Sequence, residues 1–116
     1  MTLKQVEVKI KKIKSKILEI NEMRPGNITQ QYNVCGSPGC ICKDEKNPKK
    51  HGPYFKLNYQ HGGKSRTMFV REKHVKKITA ENTNYKLFKE LSKMWITLEI
   101  ERSNLILKEE NSDLVG

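Results

Sequence analysis

The densest group of chemically active side chains lies between residues 35 and 54. It holds all three cysteines of the chain and one of its three histidines, in the spacing Cys-x4-Cys-x-Cys-x8-His. Structural zinc sites take four ligands in a tetrahedron, most often thiolates with one or two imidazoles. We therefore predict one structural Zn²⁺ bound by Cys35, Cys40, Cys42 and His51. His61, in a later turn, is the alternative fourth ligand.

Other roles for these thiols are less well supported. Three cysteines within eight residues of a turn-rich loop are not expected to be buried core residues, because such loops are exposed. A nucleophilic Cys–His pair needs a pocket, an orienting third group and an oxyanion hole. No Asp, Asn or Gln is identifiable in such a role, so we do not expect an enzyme. A phosphate-binding P-loop at Gly63-Lys64-Ser65 is excluded, since Asn58 stands where its first glycine is required.

Positive charge is concentrated in residues 43–77, here called the basic segment. The chain has a formal net charge of +10, and this segment holds eleven Lys or Arg against three acids. Such a segment favours nucleic acid or another polyanion, although a solvated lysine-rich surface is the simpler alternative. The predicted nucleic-acid-binding residues are Lys43, Lys46, Lys49, Lys50, Lys56, Lys64, Arg66, Arg71, Lys73, Lys76 and Lys77.

Only two of these eleven residues are arginines, which read base edges better than lysines do. We therefore predict binding dominated by the phosphate backbone, with weak sequence specificity and a steep salt dependence. Tyr54, Tyr59 or Phe69 would stack on bases if exposed, but aromatic residues that alternate in a hairpin are more often core.

Two helices and a small sheet are predicted to position these residues. Apolar residues recur every three or four positions from Leu3 to Ile20, which predicts a helix over 3–22 with an apolar seam for a partner helix. Thr2 and Gln5 match a capping box, and Pro25-Gly26 ends the helix. A second helix is predicted over 72–110, with a possible interruption at 79–82. Its main apolar stripe is Leu87, Phe88, Leu91, Met94, Trp95, Leu98 and Leu105.

Between the helices, residues 28–34 and the runs 54–59 and 64–71 alternate as strands do, and Gly62-Gly63 supplies a hairpin turn. The predicted fold class is α+β, with two long antiparallel helices, about 3–22 and 72–110, flanking a three-stranded β element with a zinc-knuckle-like loop. We expect a single domain over 1–116. A second apolar stripe, at Ile96, Ile100 and Leu107, is not expected to be covered by the first helix.

The N-terminus alternates apolar residues with lysine and lacks the apolar stretch of a signal peptide. No apolar run is long enough to span a membrane. We therefore expect a cytoplasmic protein, in which thiols bind metal more often than they pair.

The motifs resemble a widespread family of small prokaryotic proteins of unknown function. The likeness covers about residues 24–108 and implies that His51 belongs to the same site as the cysteines. Related sequences often have Pro where this chain has Arg71, and the resemblance also suggests accessory proteins of mobile elements. The matching residues are Pro25-Gly26, Cys35-Gly36, Pro38, Cys40, Cys42, His51-Gly52-Pro53-Tyr54, Gly63-Lys64, Phe69-Val70 and Asn84-Tyr85.

Two functions follow from these observations. The first is a zinc-stabilised protein that binds DNA or RNA. The alternative is a protein-interaction module, either an inhibitor or an accessory subunit, which docks a partner or a second copy through its helical apolar stripes and uses zinc only structurally.

Overall fold

The computed structural model describes residues 1–34, 37, 39–45 and 49–115, with side chains as far as Asn111. Its elements in chain order are α1 (Leu3–Leu18), β1 (Asn27–Asn33), a 3-10 turn (Ile41–Lys43), β2 (His51–His61), β3 (Lys64–Val70) and α2 (Glu72–Val115). The α+β prediction is thus confirmed. The chain divides into two compact units, a helical unit (Met1–Glu22 with Asn84–Gly116) and a sheet unit (Met23–Thr83).

In the helical unit, α1 and the C-terminal part of α2 pack antiparallel. The terminal amine of Met1 lies 3.9 Å from a carboxylate oxygen of Glu101, and Asn84 donates to the carbonyl of Glu22 at 2.8 Å. The core between the helices consists of Val6, Ile10, Ile13, Leu91 and Leu98. These residues come from the two predicted stripes, but Leu87 and Met94, also predicted for the stripe of α2, are exposed.

The first helix begins as predicted and ends earlier. Gln5 donates its backbone N–H to the Thr2 hydroxyl at 3.2 Å, and its side chain accepts from the Thr2 N–H at 3.0 Å, which completes the capping box. The helix ends at Leu18, four residues before the predicted end. Ile20 donates to the carbonyl of Ile17 at 3.1 Å, a tighter i to i−3 bond typical of a last turn. Ile20 still packs on the core, so its apolar spacing did not require helix.

The second helix runs without interruption through residues 79–82. The polar side chains that suggested a break there have other partners. Thr83 donates to the carbonyl of Thr79 one turn earlier at 3.1 Å. Asn82 is buried, and its amide donates to the carbonyl of Arg24 at 3.0 Å. Asn82 is thus paired outside the helix, and the Thr83 hydroxyl bonds to a carbonyl one turn earlier without interrupting the helix.

The sheet unit contains one antiparallel sheet in the order β1-β2-β3. Gly62 and Gly63, with φ of +60° and +77°, form the predicted turn between β2 and β3. The register pairs Leu57 with Ile28 and Met68, and pairs Lys56 with Thr29 and Phe69. The sheet therefore has a Leu57 face and a Lys56 face. Leu57 is only 2% exposed and is the centre of this unit's apolar packing.

The start of the sheet unit is fixed by Arg24 and Gly26. The Arg24 guanidinium lies 4.8 Å from the centroid of the Tyr59 ring, and its Nη2 is 3.3 Å from the sulfur of Met68. Gly26 has φ +117°, and a Cβ there would lie 2.5 Å from the carbonyl oxygen of Asn58. Only glycine fits this close approach.

Among the described residues, neither helix has a stretch apolar enough to cross a bilayer.

Candidate metal centre

Three of the four predicted ligands converge at one end of the sheet unit. The sulfurs of Cys40 and Cys42 and a ring nitrogen of His51 all lie within 4.8 Å of one another. Cys40 Sγ and His51 Nε2 are 3.2 Å apart. Ligand atoms at zinc–sulfur and zinc–nitrogen bond lengths in a tetrahedron lie about 3.5–3.8 Å apart. The group therefore has the donor atoms and the spacing to hold a metal ion.

The two cysteines are presented by the 3-10 turn. Cys40 is its N-cap, and its carbonyl accepts the N–H of Lys43 at 2.9 Å. Cys42, inside the turn, is 2% exposed. The two sulfurs nevertheless lie within 4.8 Å of each other, so the unusually short Cys-x-Cys spacing is compatible with a single site.

His51 reaches the cysteines because the chain closes back on the turn. Lys49 lies two residues before His51, and its N–H donates to the carbonyl of Ile41 in the turn at 3.1 Å. His51 is then the first residue of β2 and pairs with Asn33 of β1. We predicted that this strand begins at Tyr54, so the ligand lies on the strand and not in the loop before it. Its imidazole is thereby tied to the sheet backbone.

Gly52 permits this entry into the strand. It has φ +134°, and a Cβ would lie 2.9 Å from the carbonyl oxygen of Gln31 and 3.1 Å from the Tyr32 ring. The β1–β2 register is also irregular between Gln31 and Asn33. A larger residue at position 52 would push β1 away from the ligand-bearing end of β2.

The remaining ligand predictions have different outcomes. Cys35, the predicted fourth ligand, lies outside the described residues. His61 is exposed and lies ten residues along β2 from His51, a separation of about 33 Å in an extended strand. His61 therefore cannot belong to this group of ligands.

The predicted phosphate-binding residues are spread over the sheet unit. Lys46 lies outside the described residues, Lys56 is half-buried, and the other nine are exposed. Lys56 and Arg66 lie on opposite faces of the sheet, because Arg66 pairs with Tyr59. Lys73, Lys76 and Lys77 share one side of the first turns of α2. The structure thus does not bring all eleven onto one face.

A shallow depression beside the candidate metal ligands was not fully anticipated. It is lined by Asn33, His51, Tyr54 and Phe69. Phe69 is 73% exposed and Tyr54 is 41% exposed, whereas Tyr59 is half-buried against Arg24. Of the three aromatic residues considered for stacking, two therefore meet the condition of exposure. Asn33 and Arg24 were missed, since neither belongs to a recognisable spacing.

Comparison with known proteins places the chain in a family without assigning it an activity. No curated protein and no solved structure matches it. Residues 3–80 match the family model DUF6788, described as a domain of unknown function, and this range includes α1, the whole sheet and the cysteine–histidine group. The chain belongs to the DUF6788 family.

Proposed function

We propose that this protein is a zinc-stabilised nucleic-acid-binding protein. The observation that carries the proposal is the charge of the sheet unit, which contains twelve Lys or Arg against four Asp or Glu. The helical unit contains eleven against nine. Excess cationic charge around a compact scaffold attracts the phosphates of nucleic acids. The same unit contains the candidate metal ligands.

Zinc is the metal favoured by the donor set. Two thiolates and an imidazole are soft or borderline ligands, which suit Zn²⁺ and do not suit Mg²⁺ or Ca²⁺. Cys35 would complete a closed four-ligand site of the structural kind. Native mass spectrometry should show one zinc per chain, lost on chelation. A metal-free protein that keeps its fold would contradict the structural role.

Cobalt substitution tests the ligand set directly. Co²⁺ bound by thiolates gives a charge-transfer absorption whose intensity follows the number of sulfur ligands. We expect Cys35→Ser to weaken this absorption and His61→Ala to leave it unchanged. An unchanged spectrum for Cys35→Ser would remove Cys35 from the site.

Phosphate contacts would supply most of the affinity. Nine of the eleven predicted binding residues are lysines, which act as point charges and do not form the bidentate contacts of arginine. The binding constant should therefore fall steeply with salt, by a slope of about −0.9 per neutralised phosphate on a double-logarithmic plot for duplex DNA.

The test is a titration of labelled DNA and RNA, single-stranded and duplex, at two salt concentrations. The variant Lys73→Gln/Lys76→Gln/Lys77→Gln removes three charges from the sheet unit. The control Lys9→Gln/Lys12→Gln/Lys16→Gln removes three from an exposed side of α1. We expect the first variant to weaken binding about tenfold or more and to reduce the salt slope by about one per lost contact.

The control should bind within about twofold of the wild type if binding is centred on the sheet unit. Equal losses in the two variants would show that only total charge matters. Binding that is no tighter than micromolar and has no salt slope would overturn the proposal.

A second candidate function rests on the exposed apolar stripe of α2. Ile96, Ile100 and Leu107 are 62%, 55% and 54% exposed. Two copies of the chain would cover such a stripe symmetrically, because an isologous contact uses the same surface twice. Ile96→Glu/Ile100→Glu should then convert a dimer to a monomer in sedimentation. If oligomeric state and nucleic-acid affinity are both unchanged, the stripe is not a functional surface.

A further inference from the structure

Two aromatic rings are exposed on the Lys56 face of the sheet, next to the metal ligands. Phe69 and Tyr54 line the same depression as Asn33 and His51. Burying a phenylalanine side chain is worth about 1.5–3 kcal/mol, which Phe69 forgoes at 73% exposure. The register places this ring on the face opposite Leu57, where it lines the depression instead of the apolar centre of the sheet unit.

The surface around these rings is polar and ordered. Asn58 donates to the hydroxyl of Thr29 at 3.2 Å and accepts from that of Thr67 at 2.9 Å, which links all three strands. Gln60 donates to Ser65 in the next row at 2.9 Å. None of the three strands contains an Asp or Glu. The face therefore offers hydroxyl and amide groups without repelling a phosphate.

A cation lies beside the more exposed ring. Lys56 is the cross-strand neighbour of Phe69, and its Nζ is 5.4 Å from the ring centroid. An aromatic ring with an adjacent ammonium is the combination found where bases stack and their phosphates are neutralised. Lys56 can swing to a phosphate while its stem stays on the sheet, because its four-carbon chain is flexible.

The depression is also coupled to the metal centre. His51 lines it, and the Nε2 of the same ring is 3.2 Å from Cys40 Sγ. A metal ion held by these atoms would fix the imidazole and, with it, one wall of the depression. The positive φ of Gly52 interrupts the strand alternation between His51 and Tyr54, so that both line one site.

We propose that the Lys56 face binds unpaired bases of a single-stranded nucleic acid, with one base stacked on Phe69 in this depression and Lys56 on a neighbouring phosphate. This inference rests on the proposed function and specifies its substrate as single-stranded. In a duplex, the faces of the bases are stacked on one another and are closed to a protein ring. Single strands expose them, and every base has such a face, so the site is tolerant of sequence.

The test compares Phe69→Ala with Phe69→Tyr by fluorescence anisotropy of labelled 12-nucleotide oligomers. Loss of one stacked base should weaken single-strand binding about 5- to 100-fold in Phe69→Ala. Phe69→Tyr keeps a ring and should bind within about twofold of the wild type. The salt slope should be unchanged in both variants, because no charged group is removed. Leu18→Ala, at an 85% exposed apolar residue of α1, is the control for loss of surface area.

An abasic oligomer of the same length keeps the phosphates and lacks the bases. Wild type should bind it about as weakly as Phe69→Ala binds the intact oligomer, and Phe69→Ala should lose nothing further. Duplex affinity should be the same in all variants. Equal weakening of single-strand and duplex binding by Phe69→Ala would overturn the stacking site, and so would no weakening at all.

These failures are distinguishable from failure of the proposed function. If Phe69→Ala binds like the wild type and binding still falls with salt, the sheet unit binds phosphates without stacking, and only this inference fails. If neither single-stranded nor duplex nucleic acid binds at low salt, both this inference and the proposed function fail.

Titrations with oligo-uridine and with oligo-thymidine distinguish a preference for RNA from one for DNA. Circular dichroism and metal content should be unchanged in Phe69→Ala, since the ring is mostly in solvent.

Discussion

The helical unit and the sheet unit of this chain are stabilised in different ways. The helical unit buries five apolar side chains in one cluster between its helices. Among the described residues of the sheet unit, only Leu57 and Cys42 are buried apolar side chains. Cys42 is itself a candidate metal ligand. The first unit therefore has a core of ordinary composition, and the described part of the second has one buried leucine and the candidate metal ligands.

Charge follows the same division. Most of the net positive charge lies in the unit with the smaller core. Self-repulsion among cations destabilises a compact state, so this unit has both less apolar stabilisation and more electrostatic cost. Small domains with too little core commonly depend on a metal or on disulfides. Under the proposed function, a metal ion held by the cysteine–histidine group would offset this difference and permit a cationic surface on a small sheet.

Metal removal gives the largest expected difference between the units. Structural zinc contributes about 10–16 kcal/mol of apparent binding free energy in zinc-finger peptides. Chelation, or Cys42→Ser, should therefore unfold the sheet unit. Hydrogen exchange measured by mass spectrometry should show faster exchange in β1, β2 and β3 by about three orders of magnitude or more. Amides of α1 should stay protected.

His61→Ala is the control for metal removal, because it removes an imidazole from the far end of β2. It should leave exchange and zinc content unchanged. If chelation unfolds both units together, the comparison is wrong and the chain is one cooperative structure. If neither unit changes, the metal is not structural.

The reverse experiment perturbs the helical unit through its core. Leu91 is buried, and Leu87, four residues earlier on α2, is 48% exposed. Leu91→Ala should cost about 2–5 kcal/mol through lost contacts and a residual cavity. Leu87→Ala should change stability by about 0.5 kcal/mol or less.

Denaturant unfolding followed by Trp95 fluorescence, with and without chelator, measures both variants, since Trp95 packs on this core. The loss of unfolding free energy caused by Leu91→Ala should be the same with and without chelator. A loss that appears only in the metal-bound protein would mean that the units are energetically coupled.

The helical unit was more predictable from sequence than the sheet unit. Apolar residues at helical spacing identify a packed face because burial there is repeated every turn, and both core stripes follow that rule. The end of α1 was predicted four residues late, since Ile20 keeps the spacing while packing from outside the helix. The interruption considered at 79–82 does not occur, and Asn82 instead bonds to the Arg24 carbonyl, a contact between residues distant in sequence.

For the candidate metal site, residue types and spacing selected Cys40, Cys42 and His51 but left His61 open as an alternative ligand. The spacing did not reveal that His51 is already on a strand, because that depends on the positive φ of Gly52 and on the path of β1. It also gave no means of deciding which hairpin aromatics are buried. Phe69 and Tyr59 are both in alternating strands, and only the register shows that they lie on opposite faces.

Alanine substitutions at two glycines of the sheet unit distinguish the cost of a strained backbone angle from the cost of a steric clash. Gly63→Ala places a Cβ at φ +77° with no heavy atom within 4 Å, and should cost about 1–2 kcal/mol. Gly26→Ala adds a contact at 2.5 Å to a backbone oxygen and should cost about 2 kcal/mol more. Because zinc binding is coupled to folding, Gly26→Ala should also weaken apparent zinc affinity, by about 30-fold relative to Gly63→Ala.

Competition with a zinc indicator measures that affinity. The stability of the helical unit should be equal in the two glycine variants. Equal zinc affinities would show that the metal site forms independently of the sheet and would contradict the coupling of zinc binding to folding of the sheet unit.

The smallest effect expected is at the start of α1, where Thr2 and Gln5 form the capping box. Thr2→Ala leaves N–H groups of the first turn without a side-chain partner and should destabilise the helical unit by about 1 kcal/mol. Thr97→Ala is the matched control. Thr97 is exposed on α2, and its hydroxyl donates to the Lys93 carbonyl one turn earlier. Alanine is the better helix former there, so this variant should be neutral or slightly stabilising. Denaturant unfolding should give the same change in unfolding free energy for each variant with and without bound metal. A Thr2→Ala effect that doubles on chelation would show that the sheet unit supports α1, and the two units would then have to be treated as one.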